Sequence, residues 1–218
     1  ARTLQAGLSG MLMRNVAARL GGVHQQPIRE VLETLPHPTV LYLVSAEPLE
    51  GQFLLALNPT IAYPVLERLM GAGKVEPPQK DRALSALEWN VADTLVTRLL
   101  EMLRDIWTPV APVHFKVIRR EGDPDVIRFE NPDEPSVSVS IEVAMGDHRG
   151  GLDLAFPSMA IEPYLPKMVA TTSFSGKRKE GGAGAEAVLT KRIAPADVEL
   201  EVRLPTERIA LGELASLR

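Results

Sequence analysis

Two stretches of this 218-residue chain repeat one another. Pro38 matches Pro135, Gly51 matches Gly151, Leu54 matches Leu154, Pro59 matches Pro157, Ala62 matches Ala160 and Met70 matches Met168. An offset of roughly 100 residues is too long for a solenoid unit. Each copy reads helix, then strands, then a helix begun by proline. Two such halves predict a duplicated α/β unit whose strands share one sheet, with helices on its two faces.

The elements follow from periodicity. Leu4, Leu8, Met11, Leu12, Val16 and Leu20 recur at helical spacing until Gly21-Gly22, which predicts one amphipathic helix. Residues 38–46 and 51–58 are apolar, β-prone runs around Glu47-Pro48-Leu49-Glu50 and read as a hairpin. Pro59 occupies the favoured first position of a helix that runs to about Met70. Ser85-Ala86-Leu87-Glu88 has the capping-box pattern and opens a long helix stopped by Pro109, with Leu84, Leu87, Val91, Leu95, Leu99, Met102 and Ile106 as its stripe, widened by Val96, Leu100, Leu103 and Trp107. Residues 113–120, 125–130, 136–145 and 150–156 read as strands, and Pro157 opens another helix.

Beyond Ala170 the composition changes. Residues 171–196 contain Lys177-Arg178-Lys179 and a glycine run, the profile of a charged linker. Residues 197–218 begin with the alternating strand Val198, Leu200, Val202 and Leu204, too little to bury a core alone. The expected organisation is therefore a domain over 1–170, a linker over 171–196, and an incomplete β segment over 197–218.

Net charge is −4, so nothing electrostatic invites nucleic acid. No apolar run approaches the roughly 18 residues of a membrane span, and Ala1-Arg2-Thr3 begins no signal peptide. With no cysteine, the chain is expected to be cytoplasmic and free of disulfides and thiolate metal sites.

Gly71-Ala72-Gly73-Lys74 poses the question of a phosphate cradle. A Walker loop needs a glycine where Arg68 stands and a hydroxyl where Val75 stands, and it opens a helix, whereas this loop closes one. The stretch instead reads as a helix stop and surface turn. His24, His37, His114 and His148 have no metal-ligand spacing, and there is no nucleophile elbow or paired-carboxylate pattern. No catalytic residue, metal ligand or cofactor is expected, and binding or assembly is the better class of function.

The parsed segments resemble the middle domain of the flagellar motor switch protein FliM family. The resemblance is carried by residues 35–71, by Arg82-Ala83-Leu84-Ser85-Ala86-Leu87-Glu88 where the family has R-x-F-T-x-[IT]-E, by the tryptophan of residues 105–110, and by residues 139–168. It implies a three-layer α/β/α fold with pseudo-twofold symmetry, shared with CheC phosphatases. It also implies a ring of subunits on the cytoplasmic face of the bacterial inner membrane, in the flagellar basal body. There the FliG middle domain is contacted above, FliN below and neighbouring FliM copies at the sides, and phosphorylated CheY shifts the direction of rotation.

By the same resemblance Gly71, Ala72, Gly73 and Lys74 stand where the family carries a G-G-x-G motif for FliG, of which this chain keeps Gly71. Leu4, Leu8, Met11, Asp93, Arg98 and Glu101 mark the helices expected to face neighbouring copies. Val198, Leu200, Val202 and Leu204 resemble the start of the SpoA domain that joins FliN. The family's CheY-binding peptide is missing from the sequence, which resembles a fragment of a longer protein.

Two alternatives share parts of this pattern. CheC-type phosphatases use [DS]-x-x-x-E-x-x-N on a helix. Counting from Ser9 gives Met13 and Val16, from Ser85 gives Trp89 and Ala92, and from Asp81 gives Ser85 and Glu88, so none fits. Type III secretion sorting-platform proteins also end in SpoA domains, and the Gly71 loop with Arg82 to Glu88 favours the flagellar member.

Overall fold

The computed structural model describes residues 1–72, 82–129 and 131–169. Helix α1 (Arg2–Leu12) leads into β1 (Val16–Pro27) and the short α2 (Ile28–Glu33). The hairpin β2 (Val40–Glu47) and β3 (Leu49–Leu57) follows, and then α3 (Pro59–Leu69). Helix α4 (Ala86–Trp107) precedes β4 (His114–Glu121), a 3-10 turn (Pro124–Val126), β5 (Pro135–Met145), β6 (His148–Pro157) and α5 (Ser158–Ile161).

All six strands form one antiparallel sheet in the order β1-β5-β6-β3-β2-β4. The order is symmetric about the central pair β3 and β6. Each half contributes its second and third strands to its own side, and its first strand crosses to flank the other half. The halves are thereby interlocked, so neither could keep its edge strand without the other.

Alternation along the central strands separates two cores. Val40, Tyr42, Val44, Phe53, Leu55, Leu57, Leu152, Leu154 and Phe156 face the larger one, which α1, α3, α4 and α5 cover. Leu41, Leu43, Leu54, Ala56 and Ala155 face the smaller one, covered by Ile28 and Val31 of α2 with Leu35 and Ile127. The three layers of the expected α/β/α fold are present, with outer layers of unequal thickness.

The duplication extends to an irregularity. Opposite β5, the register of β1 slips at Gly21, and opposite β2, that of β4 slips at Ile118. These two bulges oppose Ile141 and Val44, which stand at the same distance from Pro135 and Pro38. The proline match is therefore structural. The match of Leu54 with Leu154 is one residue out, because Leu54 faces the smaller core and Leu154 the larger. Leu55, paired directly with Leu154, is the true counterpart. Gly51 with Gly151 fails for a similar reason: Gly51 sits at φ +95° beside the irregular hairpin turn, whereas Gly151 lies in an unbroken ladder.

Three expected elements change. The first helix stops at Leu12, because Met13 turns left-handed (φ 49°) and the Ser9 hydroxyl takes the Val16 amide at 3.0 Å, so Val16 and Ala18 enter the core as strand residues. The expected strand over 125–130 is absent from its described part, 125–129: the Asp123 carboxylate caps a 3-10 turn through the Asp125 amide, and Ile127 plugs the smaller core. In α4 the buried face runs through Glu88, Ala92, Leu95, Val96, Leu99, Leu100 and Trp107, while Leu87 and Ile106 of the expected stripe are exposed. The expected linker and the residues Val198, Leu200, Val202 and Leu204 lie outside the described residues.

Candidate partner-binding site

Helix α3 stops at Leu69 and α4 begins at Ala86, and each boundary is fixed by its own chemistry. Asn58 caps the start of α3, its side-chain oxygen accepting from the Thr60 amide at 3.0 Å and the Thr60 hydroxyl at 2.7 Å. At the far end the Gly71 amide donates to the Arg68 carbonyl and the Ala72 amide to the Glu67 carbonyl, at 3.1 and 3.0 Å. This is the Schellman arrangement, which needs a left-handed residue just past the helix, and Gly71 supplies it at φ +93°.

Arg68 extends the fastening sideways. Its guanidinium donates to the Ala72 carbonyl at 3.0 Å and reaches the Leu12 carbonyl at 3.5 Å, joining the end of α3 to the end of α1. As a cation in the last helical turn it also complements the negative end of the helix dipole.

The start of α4 is held by Arg82, Ser85 and Glu88. The Ser85 hydroxyl accepts from the Glu88 amide, and a Glu88 carboxylate oxygen accepts from the Ser85 amide at 2.7 Å, completing the capping box. The Arg82 guanidinium grips the same carboxylate with two bonds of 2.8 and 2.5 Å. Arg82 lies over the Tyr63 ring at 5.0 Å, and the Tyr63 hydroxyl donates to the Arg82 carbonyl, which ties α4 back to α3. Glu88 is 7 % exposed. The Arg82 bonds and the Ser85 cap hold its carboxyl down at about 2, against the opposing effect of burial.

Folding thus fixes Gly71 and Ala72 at the end of α3, whereas Gly73 and Lys74 lie outside the described residues. Ala72 is half-buried and Gly71 exposed. Arg68 and Tyr63 were not singled out from sequence. A cation beside a helix-ending glycine is a usable local signal, but the reach to Leu12 and the Tyr63 contact are long-range.

Of the residues expected to face neighbouring copies, Leu4 and Leu8 are corrected: at 4 % and 5 % exposed they are core residues of α1 and offer no surface. Met11, Arg98 and Glu101 do come together, lining a groove between α1 and α4 with Ala6, Gly7 and Gly10. Arg98 and Glu101 form an ion pair there. Asp93 is engaged within the fold, accepting from the Tyr42 hydroxyl at 2.9 Å and pairing with Arg120. Burial, reinforced by that bond, raises the Tyr42 pKa.

Folding also brings His37 beside Asp123 and Asp125, a grouping that sequence spacing hides. All three are exposed, and Asp123 already caps the 3-10 turn. No helix among the described residues is long and apolar enough to cross a membrane.

The class defined is a mixed α/β domain with an interlocked antiparallel sheet, in which side-chain bonds join α3 to the end of α1 and to the segment leading into α4. The model of the family "Flagellar motor switch protein FliM" matches residues 1–173, and the chain belongs to that family. It is 27 % identical over 217 residues to the FliM of Bacillus subtilis, covering 100 % of this chain and 65 % of that protein. The chain therefore spans less than two-thirds of that relative's length. The FliM middle domain of H. pylori is similar at 30 % identity and a TM-score of 0.69, covering 77 % of this chain and 90 % of that one. A FliG–FliM complex structure from H. pylori is similar at 31 % identity and a TM-score of 0.72, covering 76 % and 91 %.

Proposed function

We propose that this chain is a non-enzymatic switch component of the flagellar rotor, docking FliG through the turn that follows α3. The observation that carries the reading is the fastening of the start of that turn, at Gly71 and Ala72. The Schellman bonds at Gly71 and the Arg68 guanidinium on the Ala72 and Leu12 carbonyls hold these two residues at the end of α3. A pre-formed turn loses little conformational entropy when a partner binds, which is how modest surfaces gain affinity. Similarity to the FliM chain of a FliG–FliM complex supplies the partner.

The remaining roles follow from family membership. Gly73 and Lys74 take part in FliG binding with Gly71 and Ala72. The groove with Met11, Arg98 and Glu101 meets a neighbouring copy, the segment with Val198, Leu200, Val202 and Leu204 leads to FliN, and phosphorylated CheY biases the ring. The site of action is the basal body, on the cytoplasmic side of the inner membrane. Weak contacts repeated around a ring are jointly strong and individually switchable.

The test is calorimetric titration of the purified chain with the FliG middle domain, beside Gly71→Asp. Saturable binding that the substitution abolishes is the expected result. A folded wild-type chain that does not bind would overturn the reading and bring the secretion-platform alternative forward.

A further inference from the structure

Two helices end side by side here, each on a left-handed residue. At the end of α3 that residue is Gly71, which adopts φ +93° without a side chain to clash. At the end of α1 it is Met13, at φ 49° and ψ 38°. Left-handed helix ends favour glycine or asparagine, because a Cβ there crowds the following carbonyl. A methionine normally compensates through packing, yet Met13 is 86 % exposed. The fold gains neither backbone ease nor burial from this side chain.

Its position points to a use. The Leu12 carbonyl, which belongs to the peptide bond leading into Met13, and the Ala72 carbonyl, just past Gly71, are both held by the Arg68 guanidinium. Met70, 41 % exposed, is the capping residue of α3 immediately before Gly71. Unbranched thioether side chains adapt to irregular apolar surfaces and recur where proteins bind partners. We infer that Met13 and Met70 flank the Gly71 turn as apolar anchors of one continuous FliG-docking surface, with Arg68 holding its two halves together. This inference rests on the FliG-docking reading above and extends the contact onto a segment remote in sequence from the turn.

The experiment titrates the FliG middle domain into wild type, Met13→Gly, Met13→Leu and Gly71→Asp, with a thermal melt of each. Met13→Gly relieves the left-handed strain, so its melting temperature should equal or exceed that of wild type while its affinity falls about tenfold. Met13→Leu keeps an apolar chain and should stay within about threefold of wild type. Should Met13→Gly melt early, Met13→Asn, which tolerates the left-handed conformation, takes its place. Wild-type affinity in the folded, truncated variant, with Gly71→Asp inactive, would overturn this inference and leave the docking reading standing. Failure of wild type itself to bind would overturn both.

Discussion

Arg82 grips Glu88 with both arms of its guanidinium, and the same carboxylate closes the capping box of α4. Glu88 was legible in the sequence as a capping residue and Arg82 only as part of a family pattern. Together they make the start of α4 sensitive to acid. The folded-state pKa of Glu88, about 2, lies below its ordinary value of 4.5. Stability from a depressed carboxyl is fully present above 4.5 and is lost as pH falls from there through 2. The Arg82 side chain is 44 % exposed, and water screens the pair accordingly. A contribution of about 1–2 kcal/mol is therefore expected rather than the full linkage value. Urea unfolding of wild type and Glu88→Gln at pH 6 and pH 3 checks this: the gap between their midpoints should narrow at the lower pH.

Gly7 and Met102 should behave as a coupled pair. An alanine Cβ at Gly7 would come within 2.1 Å of the Met102 sulfur, which lies across the contact between α1 and α4. Gly7→Ala alone should cost at most about 1 kcal/mol, because the flexible end of Met102 can give way and alanine's better helix propensity offsets part of the strain. Adding Met102→Ala removes the obstruction, so the double variant should be more stable than the sum of the single changes predicts, by at least about 0.5 kcal/mol. Strict additivity in denaturant titrations would mean that the helices do not meet at this glycine.

How far the sequence reveals this fold depends on the range of the forces involved. The Ser85 capping box, the proline-led helices and the β2–β3 hairpin are local, and each forms where its pattern predicts. The start of β1 is not local. Val16 and Leu20 continue the helical spacing of Leu4 and Leu8, and the chain leaves the helix because of Ser9 and because β5 offers a partner strand. The repeat was legible at Pro38 and Pro135 but slipped by one residue at Leu54. Matching letters carry no information about which face of the sheet a residue occupies, and one position reverses the face. The turn at Gly71 was legible through its glycine, whereas the reach of Arg68 to the Leu12 carbonyl joins segments remote in sequence and was not.

Gly150 is expected to be less forgiving than Gly7. An added Cβ would meet the Ile61 Cβ and Cγ2 at 2.8 Å, where β6 passes under the first turn of α3. The obstacle is a β-branched side chain near its own backbone, which cannot swing aside as Met102 can. Gly150→Ala should therefore destabilise by about 2–3 kcal/mol, at the upper part of the overpacking range. Thermal melts of the two alanine variants, compared directly, check the order.

Tyr42→Phe tests the tie between α4 and the edge of the sheet. Tyr42 has no exposed surface, and its hydroxyl reaches Asp93, which also pairs with Arg120 of the edge strand β4. Removing the hydroxyl deletes one charge-assisted hydrogen bond while leaving the ring against Trp89, so a loss of about 1–2 kcal/mol is expected. Asp93 keeps Arg120 and some access to water, which limits the penalty on the carboxylate. Amide exchange should quicken along β4 more than along β1, since only β4 is fastened through this carboxylate. Equal acceleration of both edges would assign the effect to the core as a whole.

Substitutions at Gly71 separate the conformation of the turn from the space around it. Among the described residues no atom lies within 4 Å of where a Cβ would stand, so side-chain size is expected to matter less than backbone conformation in the isolated chain. Backbone conformation should matter, because φ +93° is costly for any residue with a Cβ and worst for a β-branched one. Stability should therefore fall in the order glycine, asparagine, alanine, valine, with alanine costing about 1–2 kcal/mol. FliG affinity in the same series should not follow stability alone. Asparagine keeps the turn but adds a side chain on the docking surface, so Gly71→Asn should lose more affinity than its small change in melting temperature explains. If affinity instead tracked stability across all four residues, the turn would act only by holding its conformation, and the contact itself would lie on the flanking residues.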